Sequence, residues 1–424
     1  MSSFYLSNPY QPPRAPEVLL LKQAWPLLGG LSPQVFMRNY WHQRPLLVRG
    51  AIPAFQQAKA LGNPLDSPIS AQALWTIASQ GESEARLIRS KPWRLHDLST
   101  EPLKAKHLPN FKDPNWTLLI QGVEAHHPAA AKVLSWFRFI PDARLDDLMI
   151  SLAGIGGGVG PHFDSYDVFL LQMAGRRKWS ISTQSDLTLK AGLPLKILRH
   201  FKAQEEWVLE PGDMLYLPPN TAHDGVALDP ACQTWSIGFR APTYRELLQE
   251  GLWRLAESLD SVPELNTHYA DPQQGATKQP EVLPPELIKQ LKKRLKSLDL
   301  NDINHFLQGI SAYLSEPKPS AYFTGPAKPL SYPQFIGKLS TSSLYLHPLT
   351  RMIYDKQHIF CNGENMTQTA SPLVKQLWRA LATNKTLSLS AQQRLILRPT
   401  QGQAAHSLYS AYQAGWLIFE PFPQ

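Results

Sequence analysis

Within the run GIGGGVGPHFDSYD, His162 and Asp164 stand two residues apart. On a strand that spacing sends both side chains to one face, where an imidazole and a carboxylate can share one ion about 2 Å from each donor atom. The third donor must come from another part of the same cavity wall. His223 in PGDMLYLPPNTAHDG is placed for it, after a predicted strand over Met214–Leu217 and a Pro-Pro turn. Two histidines and one carboxylate cover one face of an octahedral ion and leave its other positions open, the set with which non-haem Fe(II) oxygenases bind a chelating cosubstrate and then dioxygen. H-x-D alone is a weak signal. Here it has a glycine-rich approach, an all-β setting and a downstream GDMLYLPPNTAH.

A cosubstrate of the 2-oxoglutarate type needs a cation at the far end of its pocket for the second carboxylate. The run AGRRKWSIST offers Arg176, Arg177 and Lys178. Strand alternation lets one parity point inward, and Trp179, a ring suited to a barrel interior, shares parity with Arg177. Arg177 is therefore the expected carboxylate clamp, with Arg176 and Lys178 as solvated turn residues. On the preceding strand Asp147, Met149 and Ser151 face one way, as His162, Asp164 and Tyr166 do on the next. If both faces line the barrel, an acid, a thioether, a hydroxyl and a phenol surround the metal. A buried Asp147 is costly unless paired, so a cationic substrate group such as a guanidinium would complete it. The other reading has Asp146 or Asp147 capping a turn at the barrel rim.

The elements that must carry these residues are legible in outline. From Leu145 to Arg240 the runs DLMISLA, DVFLLQM, RKWSIST, MLYLPP and TWSIGFR are short, alternating or β-branched and aromatic, and are separated by Gly, Pro, Asn and Asp. They predict an antiparallel jelly-roll barrel of cupin type. Before it, Ser32-Pro33 opens a short helix, LLVRG is a strand, and residues 51–140 mix helical and extended pieces, with LIRS and WTLLIQG the clearest strands. His126-His127 reads as a solvated polar pair before Pro128. At Thr243 the period changes: Thr243 and Glu246 form a capping box, and Leu248, Leu252, Leu255 and Leu259 make one helical stripe. Two more amphipathic helices follow, PPELIKQLKKRLKSL and NDINHFLQGISAYL, whose Lys292, Lys293 and Lys296 suit a solvated face, a second subunit or RNA. SEPKPSAYFTGPAKP is a linker by its proline content. Beyond it, helices, a hairpin RMIYDKQHIFCNG and a final helix stopped at Gly415 before WLIFE suggest a winged-helix-like unit.

The 424 residues are enough for two or three cores, and no apolar run approaches a membrane span. The first residues, MSSFYLSNPYQPPRAP, lack a basic-then-apolar pattern, which argues against a cleaved secretion signal and for a flexible tail. Two cysteines, Cys232 and Cys361, cannot frame a disulfide-rich fold or a zinc knuckle, which fits a reducing cytoplasm and leaves metal binding to His and carboxylate. Net charge is +8, which permits a ribosome-associated or nucleic-acid role without requiring one.

The run RLDDLMISLAGIGGGVGPHFDSYDVFLLQMAGRRKW, with LEPGDMLYLPPNTAHDGVAL and SIGFRAPTYREL, resembles the bacterial ribosomal oxygenases of the JmjC (cupin) class. The likeness extends from about Pro33 to the C-terminus and includes WHQRPLLVRG. It implies an α+β architecture: a tail over 1–22, a double-stranded β-helix catalytic domain over 23–242, a helical dimerisation module over 243–316, a linker over 317–330 and a winged-helix-like domain over 331–424. It implies Fe(II) on His162, Asp164 and His223, 2-oxoglutarate on Arg177 and Ser151, dioxygen as cosubstrate, and an arginine pocket of Asp147, Met149, Tyr166 and Ser236. No further catalytic group is implied. The expected substrate is an arginine of large-subunit ribosomal protein sixteen, and the expected assembly a cytoplasmic homodimer with no membrane association; direct RNA contact stays open. A demethylase or hydroxylase of the same class acting on another basic protein is the alternative, and a non-catalytic nucleic-acid-binding protein would have no need of the metal set.

Overall fold

The computed structural model describes residues 20–81, 83–90, 93–97, 109–270, 283–297, 303–319, 321–367, 371–390 and 405–420, with single positions 272, 276, 279, 281 and 393. The tail expected over 1–22 lies outside the described residues as far as residue 19. Two compact units are formed, one from Met1–Ala241, Lys318–Thr350 and Gln376–Gln424, the other from Pro242–Pro317 and Arg351–Lys375.

In chain order the first unit opens with α1 (Pro33–Asn39), β1 (Leu46–Val48), α2 (Pro53–Ala60), α3 (Ala71–Ser79), β2 (Ala85–Ser90), β3 (Trp93–Asp97), β4 (Trp116–Ile120) and α4 (Pro128–Ser135). The barrel strands follow: β5 (Leu145–Ala153), β6 (Val168–Ala174), β7 (Arg177–Ser182), β8 (Glu205–Leu209), β9 (Met214–Leu217), β10 (Ala222–Ala227) and β11 (Cys232–Phe239). Beyond them come α5 (Tyr244–Ser258), α6 (Pro285–Ser297), α7 (Ile303–Leu314), α8 (Tyr332–Thr341), β12 (Leu344–Leu346), β13 (Met352–Tyr354), β14 (Ile359–Cys361), β15 (Glu364–Asn365), α9 (Pro372–Asn384), β16 (Thr386–Leu387), α10 (His406–Gln413) and β17 (Leu417–Ile418).

An eight-stranded sheet, β1-β9-β6-β11-β5-β4-β2-β3, faces a three-stranded sheet, β10-β7-β8, and the pairs within both are antiparallel. The large sheet is buried on both sides, which is why β6 is almost uniformly apolar yet still sorts by parity. Val168 and Leu170 turn inward with Leu215, Leu217, Trp179 and Ile181, filling the space between the sheets. Phe169 and Leu171 turn outward into a core with Phe36, Trp75, Val133 and Phe137. That second core explains the helices ahead of the barrel: they cover the sheet's outer face. α1 starts where Ser32 Oγ accepts the Val35 N–H, with Pro33 in the first turn. His127 departs from the expected solvated pair, since its Nδ1 accepts the Ala129 N–H at 3.1 Å and caps α4.

The same unit holds a small sheet, β16-β12-β17, with α8 and α10. Gly415, at φ 78°, ends the last helix ahead of β17, as its position in the sequence predicts. In the second unit, α5 opens with the Thr243/Glu246 capping box and crosses α7 closely enough that a Cβ on Gly251 would meet the Phe306 ring at 2.6 Å. The hairpin read from RMIYDKQHIFCNG is β13-β14, extended by β15. Among the described residues, no helix is long and apolar enough to cross a membrane.

Candidate active site

Strand register fixes which side chains enter the barrel. Met149 stands opposite Ser236, and Ser151 opposite Thr234, across β5 and β11. Directly opposed residues share a face, so Asp147, Met149, Ser151 and Ser236 line one wall. On the facing wall Ala227 opposes Arg177, Gly225 opposes Trp179 and His223 opposes Ile181. Arg177 and His223 thus lie on one face with Trp179 between them. The indole ring centroid is 5.8 Å from that of His223 and 5.8 Å from Arg177 Cζ. A Cβ on Gly225 would come within 2.6 Å of the indole, so only glycine lets Trp179 lie across β10.

His162 and His223 exchange backbone N–H···O bonds of 2.9 and 2.8 Å, an isolated bridge that ties the ligand loop to β10. Each ring donates from Nδ1 to the carbonyl two residues earlier, Gly160 and Thr221, both at 2.8 Å. That fixes the tautomer and leaves each Nε2 bare for an ion. His223 Nε2 is 3.7 Å from Asp164 Oδ2, and one ligand atom from each of His162, Asp164 and His223 falls within 4.8 Å of the others. Burial, then the neighbouring His162, pushes the His223 imidazole down to about 4, so it is neutral, the form a metal takes. Asn220, at φ 62°, turns the chain after the Pro-Pro pair and donates its N–H to the Asp164 carbonyl at 2.7 Å. One expectation is corrected: His162, Asp164 and Tyr166 lie on the loop between β5 and β6, not on a strand. The glycine-rich segment and Pro161 prevent regular pairing there, and the single bridge does a strand's work of placing the ligands.

At the other end of this wall Arg177 is 4% exposed, and its Nε and Nη2 have no hydrogen-bond partner among the described residues. Arg176 points out to Asp229 and Lys178 to Glu206. The Trp179 ring lies against this guanidinium and its charge reaches the Asp224 carboxylate, but two buried N–H sites without acceptors are costly, and what surrounds them is suited to an anion. The Ser151 hydroxyl is buried and unpartnered, as are Thr117 Oγ1 and Trp179 Nε1, while Ala153, Ala227 and Cys232 make a small-residue floor. These orphaned donors fit a carboxylate-bearing cosubstrate reaching from the metal set toward Arg177.

On the substrate side Asp147 is buried, with Tyr166 at 37% exposure beside it. Asp147 Oδ1 and Tyr166 Cε2 lie 3.8 and 3.9 Å from where a Cβ on Gly238 would stand. Burial, then the Asp164 carboxylate, pushes the Tyr166 phenol up, so it remains protonated. The expectation that Asp147 waits unpaired for a substrate cation is corrected: Lys318 Nζ sits 2.7 Å from its Oδ2. Burial pushes the Asp147 carboxyl up and this ammonium opposes the shift. Glu124, accepting the Leu148 N–H nearby, is pushed up to about 8, first by burial and then by Asp147. Lys318, Glu124 and Thr117 have no counterpart in the sequence-based expectations. Thr117 could have been found by parity on WTLLIQG; Lys318, in a proline-rich segment, offered no local signal.

A JmjC domain family model matches residues 132–247 and a ROXA-like winged helix model residues 299–417. The chain is 31% identical over 356 residues to the ribosomal protein uL16 3-hydroxylase of Escherichia coli, spanning 83% of this chain and 89% of the relative. It is 32% identical over 225 residues to a probable ribosomal oxygenase of Haemophilus influenzae, spanning 51% of this chain and 52% of the relative. The solved structure of the Escherichia coli ribosomal oxygenase YcfD with cobalt and 2-oxoglutarate matches with a TM-score of 0.70 at 28% identity, covering 92% of this chain and 98% of that one.

Proposed function

We propose, from the premise that the chain belongs to the JmjC-class ribosomal oxygenases, that it is an Fe(II)- and 2-oxoglutarate-dependent hydroxylase of an arginine in ribosomal protein uL16. The observation that carries the reading is the buried Arg177 guanidinium, whose Nε and Nη2 find no acceptor among the described residues, on the wall that also bears His223. Fe(II) held by His162, Asp164 and His223, together with 2-oxoglutarate, supplies the activation of dioxygen and the oxidation of a C–H bond. The chain's own residues orient and exclude. Arg177 and Ser151 hold the distal carboxylate of the cosubstrate, so its other end is presented to the metal ligands. Trp179, Ile181, Leu170 and Leu215 keep the space between the sheets dry. Asp147, Met149, Tyr166 and Ser236 grip the substrate side chain, and which carbon is oxidised follows from what is held nearest the metal. A lysine, a point charge without the planar match, should be a poor substrate.

The division into a catalytic domain over 23–242, a dimerisation module over 243–316, a linker over 317–330 and a winged-helix-like domain over 331–424 is part of the same proposal, as is a cytoplasmic setting. Homodimerisation is supported by apolar side chains left on the helical module: Leu248, Leu252 and Trp253 on α5, Leu291 and Leu295 on α6, and Leu307 on α7 are all exposed. Light scattering should return twice 47.7 kDa at micromolar concentration; a single-chain mass would refute the dimer.

The activity is tested with a uL16 peptide incubated with Fe(II) and 2-oxoglutarate and analysed for a gain of one oxygen on arginine. Equal oxidation of the Arg→Lys peptide would remove the arginine assignment. No oxidation of protein or peptide, with 2-oxoglutarate turnover intact, would remove uL16.

A further inference from the structure

Lys318 lies in SEPKPSAYF, a stretch that reads as a linker. Its ammonium nevertheless lies against three oxygens: Asp147 Oδ2 at 2.7 Å, Gln121 Oε1 at 3.3 Å and Asp146 Oδ2 at 3.4 Å. Together they hold it on Asp147. Asp147 Oδ2 also accepts the Gly122 N–H at 2.9 Å, which fills both of its lone-pair directions. Among the described residues Oδ1 accepts no bond, and it faces Gly238 and Tyr166. One inward position along β11 stands Ser236, 6% exposed and directly opposite Met149 on β5.

We propose that Lys318 is a specificity-determining positioning residue: by filling Asp147 Oδ2 it leaves Oδ1 alone to receive the substrate guanidinium, whose second N–H goes to the Ser236 hydroxyl. This deepens the arginine reading and rests on it. A fork of two bonds from the guanidinium to Asp147, the pairing that residue types alone suggest, is closed off because one prong is taken. The pocket therefore selects a planar cation whose N–H groups diverge to two acceptors on neighbouring strands, β5 and β11. An ammonium can satisfy Oδ1 but lacks the rigid second prong.

A double-mutant cycle on arginine-peptide oxidation tests this, with enzyme concentration set by 2-oxoglutarate titration. In the natural background Ser236→Ala should lower kcat/KM about tenfold or more, through KM, as expected for losing a hydrogen bond to a charged group. In Lys318→Met, or Lys318→Ala should the methionine not be accommodated, Oδ2 is open to the second N–H, and Ser236→Ala should then cost less than about threefold. Lys318→Gln keeps an N–H on Oδ2 and should restore the full dependence on Ser236. Equal Ser236→Ala losses with and without Lys318 would overturn the proposal, as would a Gln variant that behaves like Met. Asp147→Asn separates the two levels. If it impairs arginine turnover while the cycle is additive, the Lys318 role alone falls; if it has no effect, the arginine pocket itself falls.

Discussion

Replacing Arg177 by Met should do two opposite things. Arg177 is 4% exposed and its Nε and Nη2 are unsatisfied, so an apolar side chain of similar length removes a buried and incompletely paired charge. Such replacements stabilise by about 1–4 kcal/mol, or several degrees at about 2–4 °C per kcal/mol for a domain of this size. The cosubstrate complex changes the other way. Losing a charge-assisted carboxylate pair in a dry pocket should cost about 2–4 kcal/mol, a fall in affinity of roughly 30- to 900-fold. Thermal melts with and without 2-oxoglutarate, and calorimetric titration of the metal-loaded protein, read both arms. Arg176→Met is the control, because Arg176 is exposed and engaged with Asp229, and its 2-oxoglutarate affinity should be unchanged. An Arg177→Met protein that melts lower without ligand and binds 2-oxoglutarate normally would refute the reasoning. A loss as large in Arg176→Met would show that the wrong parity faces the cosubstrate.

Asp164→Ala should abolish peptide oxidation and weaken metal binding while the loop stays in place, because the Asn220 N–H bonds the Asp164 backbone, not its side chain; retained activity by mass spectrometry would contradict the metal set. Gly225→Ala should cost about 1–3 kcal/mol and lower 2-oxoglutarate affinity, since the new methyl would stand 2.6 Å from the Trp179 ring; an unchanged urea midpoint would show that the indole has room to yield. Glu124 carries a pH signature. Its folded value, about 8, is above the 4.5 of the free group, so the folded state keeps a proton the unfolded chain releases, and stability drains away as pH rises from about 4.5 to 8. Glu124→Gln should remove that slope, gaining on the natural protein by on the order of 3 kcal/mol near pH 7; parallel urea midpoints from pH 5.5 to 8.5 would disprove it.

Much of the catalytic wall was legible because it is governed by parity. Asp147, Met149 and Ser151 on one strand, and Arg177 with Trp179 on another, need only a period of two to be sorted inward. The metal residues were legible for a different reason: His162 and Asp164 were paired by spacing, yet they sit on a loop, and the spacing succeeded because the bridge to His223 imposes a local strand-like order. Period and composition fail where a partner comes from afar. Lys318 is more than 170 positions from Asp147 in the chain, and nothing in a proline-rich stretch announces that its one ammonium sits half-buried between Asp146 and Asp147. His127 reads as solvated because a histidine cap has no signature distinct from that of any polar residue before Pro128. The return of residues 318–350 and 376–424 to the first unit is likewise tertiary, invisible to any window of local sequence.

The mutual backbone bonds between His162 and His223, with both Nδ1 atoms already committed to carbonyls, mean that the chelate is assembled by the main chain before any ion arrives. Metal and fold are therefore loosely linked, unlike in a zinc finger, where one cannot exist without the other. A chelator should strip the ion without melting the barrel, and reloading should proceed at the pace of ligand exchange, with no refolding step. The same readiness makes the site vulnerable to mismetallation. A rigid, preformed set of two imidazoles and a carboxylate will accept whichever divalent ion is most available, and copper or zinc binds such donors more tightly than Fe(II). Activity in the cell would then follow the supply of free iron relative to its competitors as closely as the supply of cosubstrate.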